Sequence, residues 1–449
     1  MIDANYTVTA GGKDSPVYPV TINTWYRNNP LKSAANDAAL QASNEIAGFT
    51  AFELSGASAP VAVTFADRTV TSAKVYPARH AITPTISCGN TVDFVVTKPG
   101  KYIVMINDTE VRPCHVFVHP VDTTAPTCSA PGVVYYEPGT HTIGTLTVAN
   151  DTTYYIAGGA RVIGQFVIGG KTGFTIKGRG VVQSSSNFIR GDGASNFTVE
   201  GLTIVRPLGT TGDWTFKPRN CTGFTVDGCN VFSCEVVRDG VDSVSCRDYT
   251  IKNCFVRTVD DPCCINAAFA GLGSIENFTI QDCVLMPDNG IGGLEIGASM
   301  ECAYCRNGVY RRIDMVNPRI RSAISIFNGD YCDVYNLLYD DIHVDGFRGS
   351  SPSISKCVRL DCTENAFSAQ PWSPGRIREI DFYNVTFVNT APSLVRQFLY
   401  EGADATHLLE NIRWHNLRCD GVLITGESQL KISKNAFVAN ITYDTKCAP

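Results

Sequence analysis

The sequence lacks what would commit it to a nucleic acid or a membrane. Lysine and arginine number 37 against 43 acidic residues, the formal net charge is −6, and no cluster of five basic residues occurs. A phosphate backbone would find no basic stripe to follow. No run of about 18 apolar residues is present, so no segment qualifies as a membrane-spanning helix. The opening residues, MIDANYTVTA, lack the apolar core of a secretory signal. From about Pro131 onward no amphipathic helical pattern interrupts the apolar runs, whereas a doubly wound α/β sheet would need a helix about every 30 residues. Metal-ligand spacing is scarce as well. The one CxxC, Cys302 to Cys305, has no second CxxC or histidine pair beside it, and neither a metal nor a cofactor is expected.

What the chain does have is a repeat. An aromatic residue, a threonine and a β-branched residue recur as Phe174-Thr175-Ile176, Phe197-Thr198-Val199, Phe224-Thr225-Val226, Tyr249-Thr250-Ile251 and Phe278-Thr279-Ile280, spaced 23, 27, 25 and 29 residues apart. Five residues after the aromatic stand Leu202, Cys229, Cys254 and Cys283. Periods of this length belong to stacked, solenoid architectures. With short apolar strands, Gly/Pro turns and no helices, residues 129–449 are expected to form a right-handed parallel β-helix whose coils stack about 4.8 Å apart. Loop-like stretches at Phe347 to Ser355 and Thr363 to Pro374, the second holding Trp372, would wall a binding groove.

A chain of 449 residues is long for one core. Residues 1–128 read as short alternating strands, such as Val61 to Phe65, Val92 to Val96 and Tyr102 to Ile106, which predicts a small antiparallel β-sandwich. The segment Ala34 to Ile46 is the one alternative helix. The expected fold class is therefore all-β, a sandwich followed by a β-helix.

Eighteen cysteines and eight Asn-x-Ser/Thr sequons, at Asn5, Asn107, Asn150, Asn196, Asn220, Asn277, Asn384 and Asn440, point to a secreted, N-glycosylated protein from an oxidising compartment. Disulfide bonds are expected on those grounds. Cys229, Cys254 and Cys283 are the exception, because stacked strand positions do not guarantee the disulfide dihedral, and a buried reduced ladder is expected there.

The stretch from Val237 to Asn266 carries the candidate chemistry. Asp239 precedes the pair Asp260 and Asp261 by 21 and 22 residues, close to one repeat, so the three carboxylates would lie on neighbouring coils. Inverting hydrolysis of a glycosidic bond needs one carboxylic acid for the leaving oxygen and a second carboxylate to activate water. Crowded like charges raise at least one pKa and supply the protonated acid. In a regular strand Asp260 and Asp261 would point to opposite faces, so the chain must bend there, and Pro262 is the expected cause. Asp242, three residues after Asp239, is expected on the opposite face in a structural role. Lys217, Arg238, Glu295, Asn328, Asp330, Tyr331 and Trp214 fall near the expected groove and are the candidate sugar-binding residues.

These residues resemble the glycoside hydrolases of family 28, the pectinases, and their clan relatives in family 49, the dextranases and isopullulanases. The resemblance covers roughly Val133 to Cys447 as a coil pattern and is sharpest from Asp239 to Gly297. It implies that Asp260 is the general acid and that Asp239 and Asp261 hold the nucleophilic water. Where family 28 reads Gly-His-Gly-Leu-x-Ile-Gly, this chain reads Ile291-Gly292-Gly293-Leu294-Glu295-Ile296-Gly297, with Gly292 in the place of the histidine. The Arg-x-Lys motif that grips a uronate in family 28 matches Arg319-Ile320-Arg321 by type, but Ser325-Ile326-Phe327 by strand register. Loss of the histidine and of the clamp is similar to family 49. The expected activity is an inverting, endo-acting, monomeric hydrolase of a neutral α-glucan such as dextran or pullulan. Alternatives are a polygalacturonase-like hydrolase, a polysaccharide lyase or epimerase, and a carbohydrate-binding β-helix.

Overall fold

Runs of β-branched and aromatic residues cut by Gly, Asn and Asp suit pleated, half-buried surfaces separated by tight corners. In the computed structural model these runs are strands throughout, with no α-helix among the described residues, which are 5–24, 44–184, 186–209, 214–233, 235, 238–349, 355–364, 367–368 and 370–446. The chain divides into two compact units, Met1–Trp25 with Ala34–Thr127, and Tyr26–Ser33 with Cys128–Pro449.

In the first unit the alternation of residues such as Val61, Val63 and Phe65 buries one face of each strand. Two five-stranded sheets result. One runs Lys13–Ser15, Tyr6–Ala10, Ala59–Phe65, Thr91–Val96, Thr85–Ser87; the other runs Tyr18–Asn23, Asn44–Leu54, Thr109–Pro120, Gly100–Ile106, Ala73–Tyr76. Tyr6, Val63, Phe65 and Val92 from the first pack with Tyr102, Val104 and Val116 from the second, closing a sandwich. Its pairing departs from the purely antiparallel expectation at one place, where Thr109–Pro120 runs parallel to Asn44–Leu54; the many residues between them permit the crossover that parallel pairing needs. Of the alternative helix, residues up to 43 lie outside the described residues, and Asn44 to Ile46 open a strand. Cys128 falls in the second unit rather than the first.

The second unit is one continuous 31-stranded sheet wound on itself. Along one face, Thr175–Gly178 pairs in parallel with Thr198–Glu200, then Thr225–Asp227, Arg247–Lys252 and Ile275–Gln281 follow. Two further faces repeat the arrangement. The result is a parallel β-helix, with a core drawn from every coil.

Stacked coils place equal residues above one another. Phe174, Phe197, Phe224 and Tyr249 stack with centroids 4.7 to 4.8 Å apart and planes within 7°. Phe278 continues the ladder one coil later at 5.9 Å from Tyr249, and one coil beyond it the aromatic position is Gly308, in register with Phe278. A side chain there would collide with the Phe278 ring, so the ladder moves over to Tyr310, which meets Phe278 edge-on at 5.8 Å. From Tyr310 it resumes through Tyr339, Phe382 and Trp414. Asparagines form a second ladder at a corner where the backbone is left-handed, which Asn tolerates better than most residues. Asn277 donates to Asp248 (2.8 Å), Asn307 to Asn277 (3.0 Å) and Asn336 to Asn307 (2.7 Å). The described cysteines are all thiols, so the expected disulfide bonds are not seen among them. Cys229, Cys254 and Cys283 each donate to the carbonyl two residues back, which satisfies the stacked thiols without oxidation.

Gly308→Val should strand the Phe278 ring and overpack the core. A loss of about 1–3 kcal/mol is expected in chemical denaturation, with unchanged stability counting against this account of the ladder's offset.

Candidate functional site

The third face of the coil contains the candidate residues. Its strands are Phe216–Arg219, Val241–Val244, Cys263–Ala267, Gly292–Met300, Ser322–Asn328 and Lys356–Asp361, paired in parallel. Val241, Cys263, Leu294, Ile324 and Val358 occupy one register and point into the core. Alternation sends the next residue of each strand outward, so Lys217, Asp242, Cys264, Glu295, Ser325 and Arg359 form one outward column.

The position ahead of the core column holds small or cyclic residues, namely Gly240, Pro262, Gly293 and Ala323. A side chain on Gly240 would collide with Val256, and one on Gly293 would lie 2.7 Å from the Met315 sulfur, both core residues. Ala323 is itself in the core. Two successive positions therefore face inward at this corner, and the strand alternation loses its phase. The residues just ahead, Asp239, Asp261, Gly292 and Ser322, consequently emerge on the outer side beside Asp242 and Glu295. The expected bend is present, but it repeats along the coils and is not the work of Pro262 alone. Asp242 corrects the sequence reading: it shares a face with Asp239, and its charge is among those that raise the Asp239 carboxyl. The i, i+3 spacing around a glycine is the sequence feature that permits this, against the regular alternation of a strand.

The cluster is acidic and nearly dry. Asp239 is 6 % exposed, Asp261 5 % and Glu295 0 %, while Asp260 is half-buried at the turn. Oxygens of Asp239 and Asp261 and the Cys264 sulfur lie within 4.8 Å of one another. Burial, followed by the charges of Asp242, Asp260 and Asp261, pushes the Asp239 carboxyl well above the usual range. Burial and Asp260 push Asp261 up too, but the N–H groups of Ile291 (2.6 Å) and Gly292 (3.0 Å) donate to its Oδ1 and the Arg321 charge favours its ionised form. Of the two, Asp261 is the better placed to hold the negative charge, because no donor among the described residues is seen to oppose the rise at Asp239. Convergence of two carboxyls and a thiol suits a cation by geometry. Burial, however, keeps the Cys264 thiol protonated, and it donates to the Gly297 carbonyl (3.2 Å), so the set is arranged around protons.

The candidate sugar-binding residues separate into two groups. Trp214 and Lys217 lie one coil before the aspartates, with the Lys217 ammonium 4.7 Å from the Trp214 ring centre and 5.6 Å from that of the exposed Phe269. Glu295 sits in the outward column itself. Tyr331 is exposed. Arg238 is ion-paired with Glu235. Asn328 and Asp330 do not present their polar atoms to a groove: the Asn328 amide donates to the Cys332 and Arg376 carbonyls (2.7 and 3.2 Å), and Asp330 accepts from the Met300 N–H (2.7 Å) and the Ser368 hydroxyl (2.5 Å). Both are fully buried and hold loops, a state that their polar type concealed in the sequence. Ser325 stands in register with Glu295, as the strand register predicted, and Arg321 nonetheless acts electrostatically on Asp261. Arg359 had not been singled out. It lies over the Phe327 ring at 3.9 Å and grips Asp361 with two hydrogen bonds.

A parallel β-helix with carboxyl groups converging on one outward face defines the structural class. No family model matches the chain, and no curated protein sequence does. Among solved structures, Dex49A from Penicillium minioluteum superposes with a TM-score of 0.58 at 11% identity, covering 98% of this chain and 94% of that one. The polygalacturonase from Erwinia carotovora ssp. carotovora gives 0.50 at 13% identity, covering 71% and 89%. A family 28 exopolygalacturonase from Yersinia enterocolitica gives 0.47 at 11% identity, covering 87% and 97%. At these identities what the chain shares with them is the fold.

Raised carboxyl pKa values have a consequence for stability. A carboxyl whose folded pKa lies above its unfolded value of about 4 stabilises the fold fully below that value, and the contribution is lost as pH rises through the folded pKa. The cluster should therefore cost stability between acid and neutral pH. Asp239→Asn should reduce that loss by about 1–3 kcal/mol at pH 7 relative to pH 4, read from denaturant unfolding at each pH; a parallel shift at all pH values would contradict it.

Proposed function

We propose that this chain is a secreted polysaccharide hydrolase that cleaves glycosidic bonds with inversion at Asp239, Asp260 and Asp261. The observation that carries the reading is the convergence of these residues on one outward face, with Asp239 and Asp261 oxygens within 4.8 Å. Asp260, the most exposed of the three, protonates the leaving glycosidic oxygen. A water held between Asp239 and Asp261 attacks the anomeric carbon from the opposite side and passes its proton to Asp261. Solvent exchange then restores both protonation states. The two backbone N–H groups on Asp261 favour this assignment, because they stabilise its ionised form against the burial and neighbouring charge that raise it. The Trp214 ring, one coil away, is placed to support a sugar face.

A neutral α-glucan such as dextran or pullulan is the favoured substrate, supported by Ser325 in the register position of the uronate clamp and by Gly292 in place of the histidine. A pectic substrate is the second reading, and the field of Arg321 at Asp261 is the observation that favours it. Secretion, N-glycosylation and a monomeric state complete the proposal. Five of the eight sequon asparagines, Asn107, Asn150, Asn196, Asn277 and Asn440, are exposed.

Reducing-sugar release should be measured on dextran, pullulan and polygalacturonate, with Asp260→Asn beside the wild type. Release from a neutral glucan that falls about 10²–10⁴-fold in the variant is expected, with substrate binding retained. Release from polygalacturonate alone would transfer the assignment to the second reading, and unchanged turnover in the variant would remove Asp260 from its role. Trp214→Ala should raise KM several-fold and change kcat little; a loss confined to kcat would mean that the ring does not bind ground-state sugar.

A further inference from the structure

Glycine at position 292 is an unusual choice for a strand that forms the floor of a reactive cluster. Its neighbours in register are Asp261 on one side and Ser322 on the other. The missing side chain has been replaced from within the same strand. A Cβ placed on Gly292 would collide with Oε2 of Glu295, three residues on, and would come within 2.8 Å of the Ser325 Cβ and 3.0 Å of the Glu295 Cβ. The Glu295 side chain thus folds back over Gly292, directly behind the turn whose N–H groups hold Asp261. It is 0 % exposed, and neither carboxyl oxygen makes a hydrogen bond of regular geometry. Gly290 is equally constrained from the other side, where a side chain would collide with Asp261 Oδ1.

We propose that Glu295 is a positioning residue: its carboxyl group occupies the side-chain space that Gly292 leaves empty and from there holds the Gly290 to Gly292 turn against Asp261. The inference deepens the hydrolase reading above and rests on it for the catalytic consequence, but not for the structural one. Glu295 acts through Asp261, since its own burial excludes contact with a sugar. The arrangement works only if Glu295 carries its proton, because an ionised carboxylate behind Asp261 would oppose the charge that Asp261 must keep. Burial and the Asp261 charge favour the protonated form, while the Ser325 hydroxyl and the Arg359 guanidinium oppose it. The other titratable groups facing it are Asp361, Cys264 and Tyr339. Gly292 and Glu295 form a pair in which neither can change its size alone.

Glu295→Gln keeps the shape and a donor but cannot ionise. It should retain kcat within about threefold and leave the acid limb of the pH–rate profile, which reports the base, within about 0.3 units of wild type. Glu295→Ala should lower kcat at least tenfold with KM little changed. Gly292→Ala should do the same, and the double variant Gly292→Ala with Glu295→Ala should recover activity relative to Gly292→Ala alone. An acid limb displaced downward by half a unit or more in Glu295→Gln would show that Glu295 is charged in the working enzyme and would overturn the proposal. Full activity in Glu295→Ala would overturn it as well. A second measurement needs no substrate and separates this inference from the hydrolase reading. In urea unfolding, the midpoint of Glu295→Gln should gain on that of the wild type as pH rises from 4.5 to 7.5, because the wild type must keep a proton that its unfolded chain releases. A difference that does not grow with pH refutes the inference even if the chain hydrolyses glucans; a difference that grows while no polysaccharide is cleaved leaves the pairing standing and removes the hydrolase.

Discussion

The parallel backbone hydrogen bonds between coils are the constraint on which everything else in the second unit depends. Each strand is satisfied by the coils before and after it, so the sequence within a coil need only choose inward and outward residues and supply corners. Where a residue recurs at one position of the coil, ladders follow of their own accord, in buried phenyl rings and thiols or in asparagine amides at an exposed corner. These ladders add stacking and dispersion to a framework already fixed, with each aromatic pair worth about 0.5–1.5 kcal/mol beyond its burial. The exception at Gly308 shows the order of command. The ladder shifts by two residues to keep its rings in contact while the backbone register continues unbroken.

The acidic cluster is an expense set against that framework. Asp239, Asp242, Asp261 and Glu295 are buried carboxyl groups, and an ionised carboxylate in such surroundings costs several kcal/mol unless it is compensated. Compensation is selective. Asp261 receives two backbone N–H donors and the field of a guanidinium, whereas burial and neighbouring charge bias Asp239 and Glu295 toward their protonated forms. The environments therefore raise all three proton affinities, each against a different set of opposing groups, and it is a difference between such balances that lets acid and base coexist at one pH.

The repeat and the pair Asp260-Asp261 were legible in the sequence because stacking enforces a period and because a doubled carboxylate one coil after Asp239 is hard to place elsewhere. The sandwich was legible from alternation, although its single parallel pair was not, since strand direction leaves no mark on composition. What stayed hidden was phase. The glycine in Asp239-Gly240-Val241-Asp242 permits two consecutive residues to turn inward but does not require it; that depends on Val256 lying behind Gly240. Asn328 and Asp330 erred in the other direction, as polar residues whose partners are buried carbonyl, N–H and hydroxyl groups of the protein itself. The column of Lys217, Glu295 and Arg359 likewise exists only once successive coils are laid in register.

A stack of this kind also acts as a ruler with fixed graduations. Groups placed on different coils are separated along the axis by whole multiples of one inter-strand spacing, about 4.8 Å, and no side-chain substitution can alter that interval. Residues inserted into a coil go into its loops, which is why repeats of 23 to 29 residues stack equally well. Descent from a common coil can therefore reshape the walls of the groove without limit, but it can move a reactive group along the axis only by a full step.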